Sequence, residues 1–335
     1  MKLLIVTQAV DTEDPVLGFF VRWIEEFSKH VEHIEVICLK EGKHLLPINV
    51  RVHSLGKERG AANRVAYVWR FLSLAWRLRR DYDAVFVHMN QEYILITGWL
   101  WKLLGKHVYL WRNHYAGSWL TDVAAAFCTK IFCTSKYSYT ARYAKSVLMP
   151  VGVDTERFSP DKNIQRKLHS ILFLSRIAPS KRVEMLIDAL ITLAERGSDF
   201  TATIVGSPLP KDESYYAEIK ERARPLANRI TFSPGVPNSE TPDLYRAHEI
   251  FVNCSTSGMF DKTLFEAAAS GCFVLAASKD FALFAGVDTH FSSVAELADR
   301  LRAALERSIS PRETGFVQKN SLTALASQLG SEMCS

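Results

Sequence analysis

The stretch Ile250 to Ala277, IFVNCSTSGMFDKTLFEAAASGCFVLAA, leaves the chain few folds to choose from. Ile250–Val252 and Cys272–Ala277 are apolar runs of strand length, and between them Leu264 to Ala269 are good helix formers. Ser255, Thr256, Ser257, Gly258 and Asp261 are loop and N-cap types, and Gly271 stands where a helix C′ glycine belongs. Strand, polar turn, helix and strand in so short a span spell a βαβ unit, and hence a parallel sheet. Parallel sheets bind ligands at the carboxyl ends of their strands, where helix N-termini present free N–H groups, so this polar mouth suits a phosphate. Glu266, one turn into the helix, is placed to accept hydrogen bonds from vicinal hydroxyls. Asp261 at the N-cap offers another acceptor oxygen, and Lys262 an amine within reach of phosphate.

The chain has 335 residues, 48% of them hydrophobic and 23% charged, which is globular composition and enough for two domains with a core each. Six cysteines lie mostly in apolar runs with no CxxC pair, as buried thiols in a reducing compartment would. The opening MKLLIVT is too short for a signal peptide or a membrane span and reads as a first strand, so a cytoplasmic location is expected. The net charge of +5 is uneven: up to Pro160 there are 21 Lys+Arg against 15 Asp+Glu, and beyond it 20 against 21. Residues 51–80 hold eight of these cations against Glu58 alone, which suggests an anionic surface or substrate. No nucleic-acid-binding signature accompanies them.

In chain order, a strand at Leu3–Val6 and a polar loop Thr7–Leu17 lead to a helix opened by Gly18, where a glycine allows close backbone approach to a ligand. Strands follow at Ile34–Leu39, Val50–Leu55 and Ala84–His88. The helix expected over Arg64–Arg80 carries Arg70, Ser73, Arg77 and Arg80 as one narrow polar stripe among apolar residues, two of them tryptophans. Such a helix is either a core helix with a solvated edge or one that meets the headgroup layer of an anionic membrane. Asp81 and Asp83 form a DxD, but before a strand, the wrong end for a metal site, so no metal is expected. His88 and Asn90 end one strand, and Arg112, Asn113 and His114 end the strand HVYLW, on the edge that faces ligand. Lys130–Ser135 reads as a further strand and serine turn, with helix signals after it.

Met149–Pro160, MPVGVDTERFSP, with two prolines and a glycine, marks an interdomain linker. The strand Ile171–Leu174 then runs through Arg176 and Lys181 into a helix, again the geometry of an anion site: Arg176 can grip phosphate oxygens bidentately and Lys181 adds a point charge. Thr203–Gly206 and Ile230–Val236 are the next strands.

These segments resemble retaining glycosyltransferases of the GT-B fold, family-4 type. Glu266 with AAASG matches the second glutamate of the family's paired-glutamate motif, while the first falls on Gly258 and is absent. The Gly-Val-Asp before Phe158 and the Arg176/Lys181 spacing are further matches. The resemblance implies an α/β, GT-B chain of two Rossmann-like domains facing across a cleft: an acceptor domain over 1–150, a linker over 151–170, a donor domain over 171–310, and a closing helical segment over 311–335 that returns toward the first domain. It implies a glycosyltransferase that moves a sugar from a nucleotide-diphosphate sugar to a glycan or lipid-linked acceptor, retaining configuration and needing no metal or cofactor. His114, Arg176 and Lys181 would be catalytic; Gly18, Arg176, Lys181, Asp261, Lys262 and Glu266 would bind donor, and His88 and Asn90 acceptor. A peripheral membrane contact through 64–80 is compatible with it. Gly258 keeps open a binding or accessory protein with impaired catalysis, and an epimerase of the same fold is a further rival.

Overall fold

The computed structural model describes all residues except 15, 61–62, 259–261, 307–314 and 335. The chain divides into two compact units, Met1–Gly152 with Leu322–Ser335, and Val153–Ser321.

The first unit carries strands β1 (Lys2–Val10), β2 (His33–Glu41), β3 (Val50–Ser54), β4 (Ala84–His88), β5 (His107–Trp111), β6 (Lys130–Cys133) and β7 (Ser146–Leu148). All pair in parallel, in the order β3-β2-β1-β4-β5-β6-β7. Its first helices are α1 (Gly18–Ser28), α2 (Arg64–Arg77), α3 (Glu92–Leu103) and α4 (Trp119–Phe127). β1 is apolar on both faces: Leu3 and Ile5 join one core with α1, while Leu4 and Val6 join another with Phe71 of α2, Ile94 of α3 and Ala124 of α4. A strand of that kind is stable only with helices over both faces, which is what the sheet has.

Three local expectations need correction. The loop expected from Thr7 begins later, because Thr7 is buried and Ala9 and Val10 continue the ladder against Lys40 and Glu41. The helix expected to reach Arg80 stops at Arg77, and after β6 only a single 3₁₀ turn, Tyr139–Arg142, forms where a helix was expected.

The second unit carries β8 (Lys167–Leu174), β9 (Thr201–Val205), β10 (Ile230–Ser233), β11 (His248–Asn253) and β12 (Phe273–Ala276), parallel in the order β10-β9-β8-β11-β12. Its helices are α5 (Val183–Glu195), α6 (Glu213–Arg222), α7 (Thr241–Ala247), α8 (Lys262–Ala269), α9 (Lys279–Ala285), α10 (Val294–Glu306) and α11 (Gly315–Lys319). Leu186, Leu190 and Leu193 of α5 and Leu297 and Leu301 of α10 are fully buried in its core. In both sheets the strand order reverses beside the first strand, at β1/β4 and at β8/β11, the switch point where α/β sheets bind ligands.

The stretch read as a linker is not a free spacer. Val153 and Phe158 are buried, and the Arg246 guanidinium donates to the carbonyls of Arg157 and Ser159, each at 2.8 Å, so this stretch is part of the second unit's packing. The chain changes unit at Gly152, whose φ of +74° is open to glycine, and where a Cβ would lie 2.4 Å from Leu325 and 2.7 Å from Trp23. The Trp23 indole N–H donates to the Gly152 carbonyl at 3.0 Å. The last helix, α12 (Leu322–Cys334), then buries Leu322, Leu325, Ala326, Leu329 and Met333 in the core it shares with α1. Each fully buried leucine contributes roughly 1.5–3 kcal/mol. Cys38, Cys128, Cys133, Cys254 and Cys272 are buried free thiols. Among the described residues no helix is long and apolar enough to cross a membrane.

Candidate functional site

At the β8/β11 switch point the polar mouth is built by the residues that end the strands. Asn253, last in β11, accepts the N–H of Ser255 on Oδ1 (2.8 Å) and donates from Nδ2 to the Thr263 hydroxyl (3.2 Å), which ties the loop to the first turn of α8. Ser255 is buried, and the amine of Lys181 donates to its hydroxyl at 3.3 Å. Lys181 ends the 3₁₀ turn Pro179–Lys181 that follows β8. The loops after the two central strands of the sheet thus meet through a lysine. Arg176, on the same β8 loop, is exposed and makes no hydrogen bond or ion pair with any described residue.

Lys262 opens α8, and Glu266 lies one turn further on, 6% exposed, accepting from the Tyr245 hydroxyl at 3.3 Å. Burial pushes the Lys262 amine down to about 7, against the opposing pull of Glu266 and Asp154. Gly258 has φ +85° and donates its N–H at 3.0 Å to Asp280, a buried carboxylate that also faces the Ser278 hydroxyl at 3.4 Å. The absent first glutamate therefore falls on a left-handed turn that α9 holds in place. Asp261 lies outside the described residues. Two lysines, a carboxylate held by a tyrosine and a helix start are the parts that would neutralise a diphosphate and hold a pair of hydroxyls.

The remaining expected residues lie in the first unit. Gly18 opens α1, but its close approach is to its own loop, since a Cβ would lie 2.8 Å from the Thr12 carbonyl. His88 is 2% exposed, its ring stacked on Phe20 at 3.9 Å and its Nδ1 3.4 Å from the Thr7 hydroxyl. The imidazole thus sits among the rings of Phe19, Phe20 and Trp23 at the end of β4. Asn90 is partly exposed in the turn after β4. His114 is partly exposed and stacks on Tyr115, and its Nδ1 lies 2.9 Å from the Ala116 N–H and 3.2 Å from the Ala116 carbonyl oxygen.

The sequence reading missed Tyr245, Asp154 and Asp280. Asp154 looked like linker punctuation, and Tyr245 and Asp280 lie on helices whose contact with this loop carries no local signal. Among the described residues no group of three or more His, Cys, Asp or Glu side chains gathers as metal ligands would.

The family model of the group 1 glycosyl transferases matches residues 169–307, the segment that contains this site. The fold is GT-B, and residues 169–307 are similar to the group 1 glycosyl transferases. The mannosylfructose-phosphate synthase of Agrobacterium fabrum is 31% identical over 138 residues, 37% of this chain and 30% of that protein. A GDP-mannose-dependent alpha-(1-6)-phosphatidylinositol monomannoside mannosyltransferase of Mycolicibacterium smegmatis is 31% identical over 122 residues, 33% of this chain and 31% of that one. The chain thus spans about a third of the length of these curated relatives. The structure of Anabaena HepE in complex with UDP and glucose superimposes with a TM-score of 0.72 over 98% of this chain and 95% of that one, at 17% identity. At that identity the likeness speaks for the fold of both units.

Proposed function

We propose that this GT-B chain is a hexosyltransferase that takes its sugar from a nucleotide-diphosphate donor, passes it to a glycan or lipid-linked acceptor with retained configuration, and needs no metal. The observation that carries this is the lysine-bridged mouth of the second unit, where Lys181 meets Ser255 and Lys262 stands one turn from Glu266. There the two amines face the diphosphate and Glu266 accepts from hydroxyls of the donor. In the transfer, the bond between C1 and the diphosphate oxygen breaks and its electron pair leaves with the nucleoside diphosphate. The acceptor oxygen bonds to C1 and its proton passes to a phosphate oxygen. Cations aimed at the leaving charge lower the barrier. Arg176, exposed and without a partner among the described residues in the same loop as Lys181, is a third such cation, and His114 and Asn90 offer hydrogen bonds to sugar in the first unit.

The same proposal extends to an anionic lipid surface. Trp69 and Trp76 of α2 and Trp99 of α3 are 69%, 51% and 50% exposed, among the exposed cations Arg64, Arg77, Arg80 and Lys102. Tryptophan with cations suits the headgroup layer, where each cation near the surface is worth about 1 kcal/mol.

The test is a panel of UDP- and GDP-sugars, with and without added glycan and lipid acceptors, followed by nucleoside diphosphate release. One donor should turn over with acceptor, and Lys181→Ala should slow it by roughly 10²–10³-fold, the range for removing one donor to developing charge. Binding of donors without turnover under any acceptor would leave a recognition protein; no binding at all would end the proposal.

A further inference from the structure

The first unit holds a second set of polar groups, at the carboxyl edge of three adjacent strands. Arg112 follows β5 directly. One of its guanidinium nitrogens, Nη2, donates to the Ala116 carbonyl at 2.9 Å, whereas Nη1 is buried with no hydrogen-bond partner among the described residues. Burial lowers the Arg112 pKa; Glu92 opposes this from the first turn of α3, yet forms no ion pair with the guanidinium. Thr134 follows β6 directly and is 8% exposed, and its hydroxyl is likewise buried without a partner. Gln91, between β4 and α3, buries a carbonyl oxygen, Oε1, that has no hydrogen-bond partner among the described residues.

The corner is otherwise well made. The Asn113 side chain accepts the Thr134 N–H at 2.7 Å, the Thr140 hydroxyl donates to the Arg112 carbonyl at 3.0 Å, and the Tyr139 N–H donates to the His114 carbonyl at 2.8 Å. Leaving a buried polar group unpaired costs about 1–3 kcal/mol, and more for a charged one. Three such groups at the ends of neighbouring strands, in a unit whose charge is basic, are best explained by a ligand that completes them.

We propose that this edge is an anion subsite, in which Arg112 Nη1 and the Thr134 hydroxyl hold the phosphate or carboxylate of the acceptor while Gln91 Oε1 accepts from one of its hydroxyls. The subsite rests on the transferase reading only in naming its ligand the acceptor. It places an acidic sugar or sugar phosphate, rather than a neutral glycan end, in the first unit.

The experiment is calorimetric titration of the full chain with glucose 6-phosphate, glucuronate and glucose, with UDP and GDP as separate probes of the second unit. Wild type should bind glucose 6-phosphate or glucuronate at least tenfold more tightly than glucose; which of the two binds identifies the anion. Arg112→Gln should weaken that binding by roughly tenfold or more, the size of one charged hydrogen bond, and leave the UDP and GDP affinities within twofold. Arg112→Lys, which keeps a charge, should recover part of the loss, and Thr134→Val should show a smaller one. Equal affinity for glucose and glucose 6-phosphate, with glucuronate no better, or an Arg112→Gln protein that melts as wild type and binds the anions unchanged, would overturn the subsite. Arg112-dependent anion binding in a chain that binds neither UDP nor GDP would uphold the subsite and remove the donor reading instead.

Discussion

Raising the pH from 7 to 9 reads Lys262 directly. Burial holds its amine at about 7, with Glu266 and Asp154 as the opposing charges, so over this interval the amine loses its proton. A diphosphate bound beside it would restore the proton. Affinity should then fall by up to about tenfold per pH unit above 7, equivalent to about 1.4 kcal/mol, until the bound-state pKa is passed. The last phosphate ionisation of the ligand lies near 6 and does not interfere in this range. Calorimetric titration with UDP and GDP at pH 7, 8 and 9, in buffers of different ionisation heat, would show both the slope and the proton uptake. Lys262→Met should abolish both.

The same group has a stability signature of defined sign. Its folded pKa lies below the unfolded value near 10.4, so the cost of the charged amine is fully present below about 7 and is relieved as pH rises toward 10. Wild type should gain stability relative to Lys262→Met across that window. An affinity flat from pH 7 to 9, or a slope that survives in Lys262→Met, would refute the placement of this lysine against the diphosphate.

Gly152→Ala should cost about 3 kcal/mol in urea denaturation, since it combines a positive φ with a Cβ set 2.4 Å from Leu325; a change near zero would contradict the packing described. Gly258→Glu returns the carboxylate that the family resemblance expects, but at φ +85° it should cost roughly 1–3 kcal/mol and raise no donor turnover; a stable, faster enzyme would show that the turn can be rebuilt. Trp69→Ser with Trp76→Ser should reduce sedimentation with phosphatidylserine vesicles while leaving binding of UDP and GDP intact, and unchanged vesicle binding would remove the lipid surface from the proposal.

The sequence carried the fold because parallel strands buried on both faces are written as continuous apolar runs: Ala84–His88 was read to the residue, and the βαβ at Ile250–Ala277 to within a residue or two at most of its ends. Strands that run on through polar residues were read short, as at Thr7–Val10, where pairing to β2 decides and local hydrophobicity does not. In the site, Lys181, Lys262 and Glu266 were legible because each follows a strand or opens a helix. Their tertiary partners, Tyr245, Asp154 and Asp280, were not, since those contacts join segments far apart in sequence. His88 shows the converse limit: its strand-end position gives no sign in the sequence of the stacking on Phe20 that the fold brings about.

The central claim is that the loops after β8 and β11 grip a diphosphate. It is tested most directly by a crystal structure of the chain soaked with the nucleoside diphosphate that the donor panel releases. The account predicts phosphate oxygens within hydrogen-bonding distance of the Lys181 and Lys262 amines, with Glu266 on the hydroxyls beside them. A diphosphate bound elsewhere, out of reach of both amines, would contradict it.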